Sequence, residues 1–392
     1  MLSLQSYFFN KTITDWISLD YFSLLILILL ISYLLWIYLF LYRKSHFGRE
    51  LKLDSKSIPG ISVVVAARNE AENLKRLIPE LLKQDYPCFE LIVVNDRSSD
   101  QTERVIKQFQ DSDARIRYSA TPQEEFSGMF FGKKLALSIG IKTASYENLL
   151  FIDADCLPSS EQWISKVAPQ FEEANMLVML GMYQQTGGFL NQMQCFESFR
   201  IALNAGAFTS RNRAFMSVGR NFAYRKSVFY QLNGFSRHIQ LRSGDDDLFL
   251  QDYQNQNNSR IKTFYQAEAK TISIAESTFR DWFNQKRRHV STAARYPKTI
   301  LFRLFINDLS HLFFFFGSPF LFYFSPLNLA CSSFIYGIVL AIILWRWRQL
   351  SKAWKEKISL ILLPFNFLCV ALFQAAVSLS VWKNQPKNWT GN

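Results

Sequence analysis

The sequence predicts an α/β domain with a mostly parallel sheet, joined to transmembrane helices at both the amino-terminal and the carboxy-terminal end. Hydrophobic residues make up 49% of the 392 residues, and they are concentrated at the two ends of the chain. Between the ends, short apolar runs alternate with helical patterns. This alternation is typical of a parallel sheet that is covered by helices on both faces.

Four apolar, β-rich runs in residues 57–276 are the predicted strands of this domain. They are ISVVVAA (61–67), FELIVVND (89–96), RIRY (115–118) and NLLFIDAD (148–155). Helical patterns lie between them in the segments EAENLKRLIPELLKQ, SDQTERVIKQFQ and KKLALSIGIKTA. In a sheet of this kind, ligands bind outside the carboxyl ends of the strands.

Residues 21–42 contain no charged side chain and are long enough to cross a bilayer as one helix. We predict a retained anchor rather than a cleaved signal peptide, because the apolar run is too long and no small-residue cleavage site follows it. The linker at residues 43–56 is basic, whereas residues 1–20 contain a single lysine. The positive-inside rule therefore predicts a short extracytoplasmic amino terminus and a cytoplasmic domain at the inner cell membrane.

The carboxy-terminal third of the chain contains three further candidate transmembrane helices, at residues 307–324, 327–345 and 358–382. The segment RWRQLSKAWKEK between the last two is strongly basic and is expected in the cytoplasm. Asp308 and His311 lie in the first candidate, which could instead lie in the membrane interface. The multi-pass topology therefore stays open in its details.

The chain carries a formal net charge of +12. Much of this excess lies beside the apolar segments, where anionic lipid headgroups are a nearer partner than nucleic acid. We therefore predict a membrane partner and no nucleic-acid partner. The five cysteines show neither paired nor metal-ligand spacing, which is typical of free thiols in a reducing compartment.

Three of the predicted strands end in acidic or polar residues, in the segments ARNE (67–70), NDRSSD (95–100) and DADC (153–156). One such ending could be a turn or a helix cap. Three at the same edge of a sheet favour a binding site. Asp153 and Asp155 are separated by one residue and can offer oxygen ligands to Mg²⁺ or Mn²⁺ that also binds phosphates. Lys133 and Lys134 could contact such phosphates, or could simply begin a solvated helix.

Six segments occur in the order and approximate spacing of family 2 glycosyltransferases: VVVAARNEAENL, LIVVNDRSSDQT, GKKLAL, LLFIDADC, GDDDLFL and QKRRH. The chain resembles the membrane-bound members of that family. The resemblance implies a cytoplasmic domain of GT-A type, which is a Rossmann-like fold, at residues 57–276. It also implies inverting, metal-dependent transfer from a nucleotide-sugar, such as a UDP-sugar, to a lipid or membrane-proximal acceptor.

The resemblance also assigns residues to the donor, the metal and the acceptor. Glu70 and Asp96 would contact the uridine, and Asp153 and Asp155 would bind the Mg²⁺ or Mn²⁺ and the diphosphate. The full set assigned to the nucleotide-sugar is Glu70, Asp96, Arg97, Lys134, Asp153, Gln285 and Arg288. The set on the acceptor side is Arg220, Asn221 and His289.

His289 stands where the family usually has tryptophan, and this departure concerns the acceptor rather than the donor. A tryptophan would supply an aromatic wall for an acceptor sugar. The surrounding segment, residues 277–300, is amphipathic and basic, so it could also lie against anionic headgroups.

The segment GDDDLFLQ contains the candidate general base. If Leu248 is the leucine of the family's motif, Asp245 is the base. In the alternative register, the base is Asp246. The first register also makes Asp247 a helix-start residue, and either Asp246 or Asp247 is expected to cap that helix. We expect repulsion among the three carboxylates to raise the pKa of the base.

Two alternatives to single sugar transfer follow from the same sequence. The first is a processive polysaccharide synthase, which the small number of candidate spans disfavours. The second is a membrane-tethered binding protein that has lost catalysis, which the retention of every acidic position disfavours.

Overall fold

The computed structural model describes residues 28–29, 31–43, 51, 58–123, 132–241, 243–318 and 329–383. The predicted extracytoplasmic residues 1–20 and nearly all of the linker at residues 43–56 lie outside this set. The predicted anchor at residues 21–42 is described only in its second half, which forms a helix.

Besides 3₁₀ helices of three to five residues, the described residues form ten strands and twelve helices. The strands are β1 (Ile61–Ala67), β2 (Phe89–Asn95), β3 (Ile116–Ala120), β4 (Asn148–Phe151), β5 (Cys156–Pro158), β6 (Met176–Met179), β7 (Gly181–Tyr183), β8 (Phe222–Arg225), β9 (Ile261–Phe264) and β10 (Thr271–Ser273). The helices are α1 (Ile31–Leu41), α2 (Ala71–Leu82), α3 (Thr102–Ser112), α4 (Lys133–Thr143), α5 (Trp163–Val167), α6 (Phe189–Thr209), α7 (Lys226–Gln231), α8 (Asp247–Gln254), α9 (Phe279–Ala293), α10 (Lys298–Gly317), α11 (Leu329–Ala353) and α12 (Leu363–Lys383).

The central sheet has seven strands in the order β3-β2-β1-β4-β8-β6-β9. The four predicted strands, β1 to β4, are all present and run parallel to one another, so the predicted α/β class is confirmed. Strand β8 was not predicted, and it runs antiparallel to both β4 and β6. A second sheet, β5-β10-β7, was also not predicted. Its strands have only three residues each, which is too short for a periodic pattern.

Helices cover both faces of the parallel strands. On β1, Val63 and Val65 belong to one core cluster with helices α2 and α3, whereas Val64 belongs to another cluster with helix α4. Both faces are buried, which explains why β1 is a continuous apolar run rather than an alternating one. On α4, a Cβ at Gly140 would lie 2.6 Å from Val64 Cγ1, so glycine permits the close approach of helix and sheet.

Two described helices are long and apolar enough to cross a membrane: Lys298–Gly317 and Leu363–Lys383. By length and composition, they correspond to the predicted spans at 307–324 and 358–382, although the first begins nine residues earlier and residues 319–328 are not described. Residues 329–345 of the predicted span at 327–345 fall within α11, and α1 is a shorter apolar helix. These helices suggest a membrane association.

The predicted amphipathic segment at residues 277–300 divides at Pro297 into α9 and the start of α10. Helix α9 begins where the Thr278 hydroxyl accepts a hydrogen bond from the Asp281 backbone N–H at 3.1 Å. Its inner face packs on α12, where the Trp282 ring stacks on Phe373 with 3.7 Å between ring centroids. That α9 lies in a membrane interface stays a prediction.

Replacing Trp282 with alanine should destabilise the protein by about 3–5 kcal/mol, since it removes a large buried ring at the contact of α9 with α12. The Trp282 side chain is fully buried, whereas Trp382 on α12 is 83% exposed. We expect Trp282→Ala to lower the free energy of unfolding in a urea titration of the detergent-solubilised protein, with Trp382→Ala as the matched control. Equal effects of the two variants would contradict the described packing.

Candidate active site

The loops that follow β1 and β2 are held together by hydrogen bonds. The Asn69 backbone N–H donates to Ser98 Oγ at 2.9 Å, and the Ser99 N–H donates to Asn69 Oδ1 at 2.8 Å. The Glu70 N–H donates to Thr102 Oγ1 at 2.8 Å. The polar ends of the two strands therefore form one surface at the carboxyl edge of the sheet, where the topology predicts a ligand site.

Asp96 lies at this edge and is fully buried. Its Oδ1 accepts a hydrogen bond from Thr121 Oγ1 at 3.0 Å, and Arg97 Nε lies 3.7 Å from the same oxygen. Its Oδ2 has no hydrogen-bond partner among the residues that the structure describes. A buried acceptor oxygen of this kind is suited to an N–H group of a ligand, because leaving it unsatisfied is unfavourable.

Glu70 begins the helix next to this edge, and its carboxylate accepts a hydrogen bond from Asn73 Nδ2 at 2.6 Å. Partial burial raises the pKa of Glu70, and the nearby carboxylates of Asp155 and Asp153 raise it further. The predicted strand-end residues thus influence one another through space, as expected for one site.

Asp153 and Asp155 follow β4 in a tight turn. Their carboxylates and the Cys156 thiol all offer ligand atoms within 4.8 Å of one another. Burial raises the pKa of the Cys156 thiol well above its usual value, and the thiol donates to Asp155 Oδ1 at 3.2 Å. The two carboxylates are therefore the metal ligands that this turn offers, and such oxygen donors suit Mg²⁺ or Mn²⁺.

Asp155 is exposed at the rim of the site, but neighbouring protein limits the hydration of its carboxylate. This desolvation raises the pKa of Asp155, and the adjacent Asp153 carboxylate adds to the rise. A bound cation would relieve this repulsion, which is a further reason why the turn fits a divalent metal.

Lys133 joins the metal turn to the aspartate cluster. Its Nζ lies 2.7 Å from Asp153 Oδ1 and 3.2 Å from Asp245 Oδ2. Burial alone would lower the pKa of Lys133, but the two carboxylates outweigh it and hold that pKa well above its usual value. A cavity of about 210 Å³ opens here, and Arg220, Arg288 and His289 also line it.

The three aspartates of the cluster have different environments. Asp246 caps helix α8, because its carboxylate accepts hydrogen bonds from the backbone N–H groups of Asp247 at 2.7 Å and Gly219 at 2.6 Å. Asp247 is the first residue of the helix, and its carboxylate accepts hydrogen bonds from the Thr292 and Tyr296 hydroxyls. Of the three, Asp245 is the one that forms an ion pair with Lys133 among the residues that the structure describes.

The pKa shifts of the three aspartates differ from our expectation. Burial and mutual repulsion raise the pKa values of Asp246 and Asp247. Burial would also raise the pKa of Asp245, but the Lys133 ammonium outweighs it, so that pKa is lowered. The expected rise therefore occurs in the two aspartates that have structural partners, and the candidate base is the one that remains ionised.

Arg220 also lines the cavity. Its guanidinium donates to the Gly181 carbonyl at 2.6 Å and lies over the Tyr183 ring at 4.4 Å. The Tyr183 hydroxyl donates to Gln285 Oε1 at 3.1 Å, so Gln285 supports the ring beneath Arg220 rather than lining the cavity. Arg288, one turn further along the same helix, does line it.

His289 lines two cavities at once, the one described above and an adjacent one of about 40 Å³. The walls of the smaller cavity are largely apolar and include Ile201, Ala202 and Met216. The histidine ring faces this open space, but the protein around it and the cations of Lys286 and Arg288 lower its pKa to about 3. It is therefore neutral at physiological pH.

Two family models match this chain. The model described as "Glycosyl transferase family 2" matches residues 62–232, and "Glycosyl transferase family group 2" matches residues 149–348, just over half of the chain. The chain belongs to the family 2 glycosyltransferases. The resemblance stated from the sequence motifs is thereby confirmed, as is the assignment of an enzyme.

Curated relatives of this glycosyltransferase include a poly-β-1,6-N-acetyl-D-glucosamine synthase of Staphylococcus epidermidis. It is 34% identical over 125 residues, which is 30% of this chain and 28% of the synthase. Glycosyltransferase AglE of Haloferax volcanii is 28% identical over 196 residues, which is 49% of this chain and 60% of AglE. The chain therefore matches less than two thirds of the length of these relatives.

Among solved structures, a mannosyltransferase of Pyrobaculum calidifontis in complex with GDP-Man and Mn²⁺ is similar in fold. The TM-score is 0.52 at 15% sequence identity, and the match covers 91% of this chain and 97% of that chain. At this identity the likeness supports the GT-A fold and nothing finer.

Lys134 of the glycosyltransferase is placed differently from our expectation. Its ammonium donates to the backbone carbonyls of His238 at 2.7 Å, Leu241 at 3.0 Å and Ser243 at 2.7 Å. Burial lowers the pKa of Lys134 to about 8. Lys134 therefore holds the loop before the aspartate cluster, and its neighbour Lys133 is the lysine that lines the cavity. The GKK motif pointed to both lysines and could not distinguish them.

Asn221 also differs from its predicted place on the acceptor side. Its amide is fully buried and donates to the Leu180 and Ala269 carbonyls at 2.6 and 2.9 Å. Its Oδ1 accepts a hydrogen bond from Trp163 Nε1 at 3.2 Å. These partners use its polar atoms to join the two sheets, so Asn221 is a structural residue and leaves Arg220 and His289 on that side of the cavity.

Proposed function

We propose that this chain is an inverting, metal-dependent glycosyltransferase that moves a sugar from a UDP-sugar to a lipid or membrane-proximal acceptor. The observation that supports this most strongly is the bridge through Lys133. It puts a candidate base, Asp245, and a candidate metal ligand, Asp153, on the wall of the same cavity, within ion-pair distance of the same ammonium group. Inverting transfer requires a base and a leaving-group site that face one another across the donor sugar.

The uridine would lie at the edge formed by β1 and β2. The unpartnered Oδ2 of Asp96 would accept the N–H of the base, with Glu70 and Arg97 beside it. The diphosphate would then extend toward Asp153 and the cavity. A Mg²⁺ or Mn²⁺ ion held by Asp153 and Asp155 would supply positive charge to the leaving diphosphate.

Cationic side chains of the protein would also supply positive charge to the leaving diphosphate. Arg288 lines the cavity and would contact the diphosphate. Lys133 would exchange its contact with Asp153 for one with a phosphate oxygen, because a diphosphate carries more charge than a single carboxylate. This exchange would also leave Asp245 available to the acceptor.

Asp245 would take the proton of the acceptor hydroxyl. The bond between the acceptor oxygen and the anomeric carbon forms as the bond between that carbon and the diphosphate oxygen breaks. The products are the glycosylated acceptor, a nucleoside diphosphate and protonated Asp245, and the anomeric centre is inverted.

The membrane placement rests on α10, α12 and the shorter α1, which are apolar enough to suggest a membrane association. We propose a multi-pass protein of the inner cell membrane with its catalytic domain in the cytoplasm. A cavity in the cytoplasm beside the bilayer would reach a lipid acceptor without releasing it from the membrane.

The test is transfer by the detergent-solubilised protein with Mn²⁺ or Mg²⁺, UDP-hexoses or UDP-N-acetylhexosamines, and a membrane lipid extract. We expect one lipid species to gain the mass of one sugar while UDP is released. The absence of both transfer and hydrolysis with every nucleotide-sugar tested would overturn the proposal.

The processive alternative is supported by the 34% identity to a poly-β-1,6-N-acetyl-D-glucosamine synthase over 125 residues. The same assay separates the two, because a processive enzyme yields a ladder of product lengths and a single-transfer enzyme yields one product.

Replacing His289 with tryptophan should weaken acceptor use by about tenfold or more, because a larger ring would fill the boundary between the two cavities. The KM for the acceptor should rise, while hydrolysis of the donor in the absence of acceptor should stay unchanged and serve as the internal control. An unchanged acceptor KM would show that the smaller cavity does not contribute to acceptor binding.

A further inference from the structure

A second large cavity lies away from the sugar-transfer site. It has a volume of about 750 Å³ and opens between the loop that follows β7, the start of α6 and the connection from α11 to α12. Residues from all three elements line it, including Gln185, Gly188, Phe196, Lys352, Lys357 and Asn366. None of these residues belongs to the catalytic arrangement proposed above.

Asn366 contributes the most unusual group of this cavity. Its side chain is 1% exposed, and neither its amide nitrogen nor its amide oxygen has a hydrogen-bond partner within the described part of the chain. It is the fourth residue of α12, and its backbone N–H is satisfied by the Leu362 carbonyl. A buried amide without partners in an apolar helix points to a ligand, because such a group is unfavourable unless something binds it.

The rim of the cavity is basic. Lys352, in the last turn of α11, and Lys357, in the connection between α11 and α12, are both exposed, and Lys355 pairs with Glu268 at 2.7 Å. Among the described residues that line the cavity, the acidic one is Glu356, which is buried and already bound by Lys270 and by Gln185 Nε2 at 2.9 Å. The cavity therefore presents positive charge and an amide, which is the chemistry that binds a phosphate group.

The surroundings distinguish a lipid phosphate from a soluble one. Helix α12 is a candidate membrane span and begins next to the rim. The exposed residues around its start are apolar: Ile361, two residues before the helix, is 91% exposed, and Phe365 is 48% exposed. An apolar surface that starts beside a basic rim matches the two parts of a phospholipid, whereas a soluble phosphate compound would use only the rim.

We propose that this cavity binds the phosphate headgroup of an anionic phospholipid. Lys352 and Lys357 contact the phosphate, the Asn366 amide donates to a headgroup oxygen, and the acyl chains lie along Ile361 and Phe365. The site would fix the membrane-facing end of α12, and with it α9, which packs on α12 through Trp282. This inference does not depend on sugar transfer.

The test is lipid binding by the full-length protein, delipidated in detergent and titrated with phosphatidylglycerol or phosphatidylcholine in native mass spectrometry. We expect one phosphatidylglycerol to bind in preference to phosphatidylcholine. Lys357→Gln should weaken this binding by about fivefold, and Asn366→Leu by about tenfold. Lys298→Gln is the matched control, since Lys298 is an exposed lysine at the start of the other candidate span, and it should leave the affinity unchanged.

Three results would overturn the proposal. One is equal binding of the two lipids. Another is wild-type affinity in Lys357→Gln, which is an exposed substitution that does not threaten folding. The third is displacement of phosphatidylglycerol by glycerol 3-phosphate or inorganic phosphate at comparable concentration, which would assign the cavity to a soluble phosphate compound. Because the readout is binding, failure here would be separate from failure of the glycosyltransferase assay.

Discussion

Asp245→Asn is expected to reduce sugar transfer by about 10²- to 10⁴-fold, the usual contribution of a general base. Asparagine has nearly the same shape, so the cavity should stay intact, but its amide does not accept the proton of the acceptor hydroxyl. The loss should appear in kcat with little change in the donor KM. Steady-state kinetics with a UDP-sugar and the purified acceptor would measure both.

Asp246→Asn is the matched control, because asparagine is also a favourable helix cap. We expect this variant to retain helix α8 and much more activity than Asp245→Asn. The opposite ranking of the two variants would assign the base to Asp246, which is the alternative register of the motif.

The pH dependence of the same enzyme follows from the Lys133 contact. Because Lys133 lowers the pKa of Asp245, the base is ionised above that lowered pKa and is lost only as the pH falls through it. The acidic limb of kcat/KM, which reports the free enzyme, should therefore lie below the usual carboxyl range. A Lys133→Met variant should move that limb to higher pH.

Asp155→Asn is expected to reduce transfer at least about a hundredfold, since metal charge on a leaving diphosphate is worth several kcal/mol. The substitution removes one of the two carboxylates that follow β4 and leaves the buried strand untouched. Transfer and UDP binding should both lose their response to added Mn²⁺, which a metal titration by activity and by calorimetry would measure.

Asp111→Asn, an exposed carboxylate near the end of α3, controls for a general change of charge. Full activity of the wild-type enzyme in the presence of a chelator would contradict the metal role, as would an unchanged Mn²⁺ response in Asp155→Asn.

The part of the fold from β1 to β4 was largely predictable from the sequence, because the residues within each element are enough to indicate its secondary structure. Strands β1, β2 and β4 are apolar runs of four to seven residues, and helices lie between the strands along the chain. Their carboxyl ends carry the polar residues, and parallel topology brings those ends to one edge. The helix cap within GDDDLFLQ was also predictable, because an aspartate that caps a helix must precede the apolar pattern of that helix.

The features that were missed depend on contacts between distant parts of the chain. Strand β8 is four residues long and is defined by pairing with β4 and β6, on both sides, rather than by its own pattern. The exchange of roles between Lys133 and Lys134 depends on which way helix α4 faces relative to a loop about a hundred residues later. The lowered pKa of Asp245 follows from that same contact, so no argument from the aspartate cluster alone could predict it.

A structure of the protein with UDP and Mn²⁺ tests the central proposal most directly. We predict the ion on the carboxylates of Asp153 and Asp155, and the uracil against Asp96 with its N–H directed to Oδ2. We also predict that the Lys133 ammonium contacts the diphosphate and that Asp245 faces the space left for the sugar and acceptor. UDP bound elsewhere, or an ion absent from the Asp153–Asp155 turn, would contradict the assignment of this cavity as the site of sugar transfer.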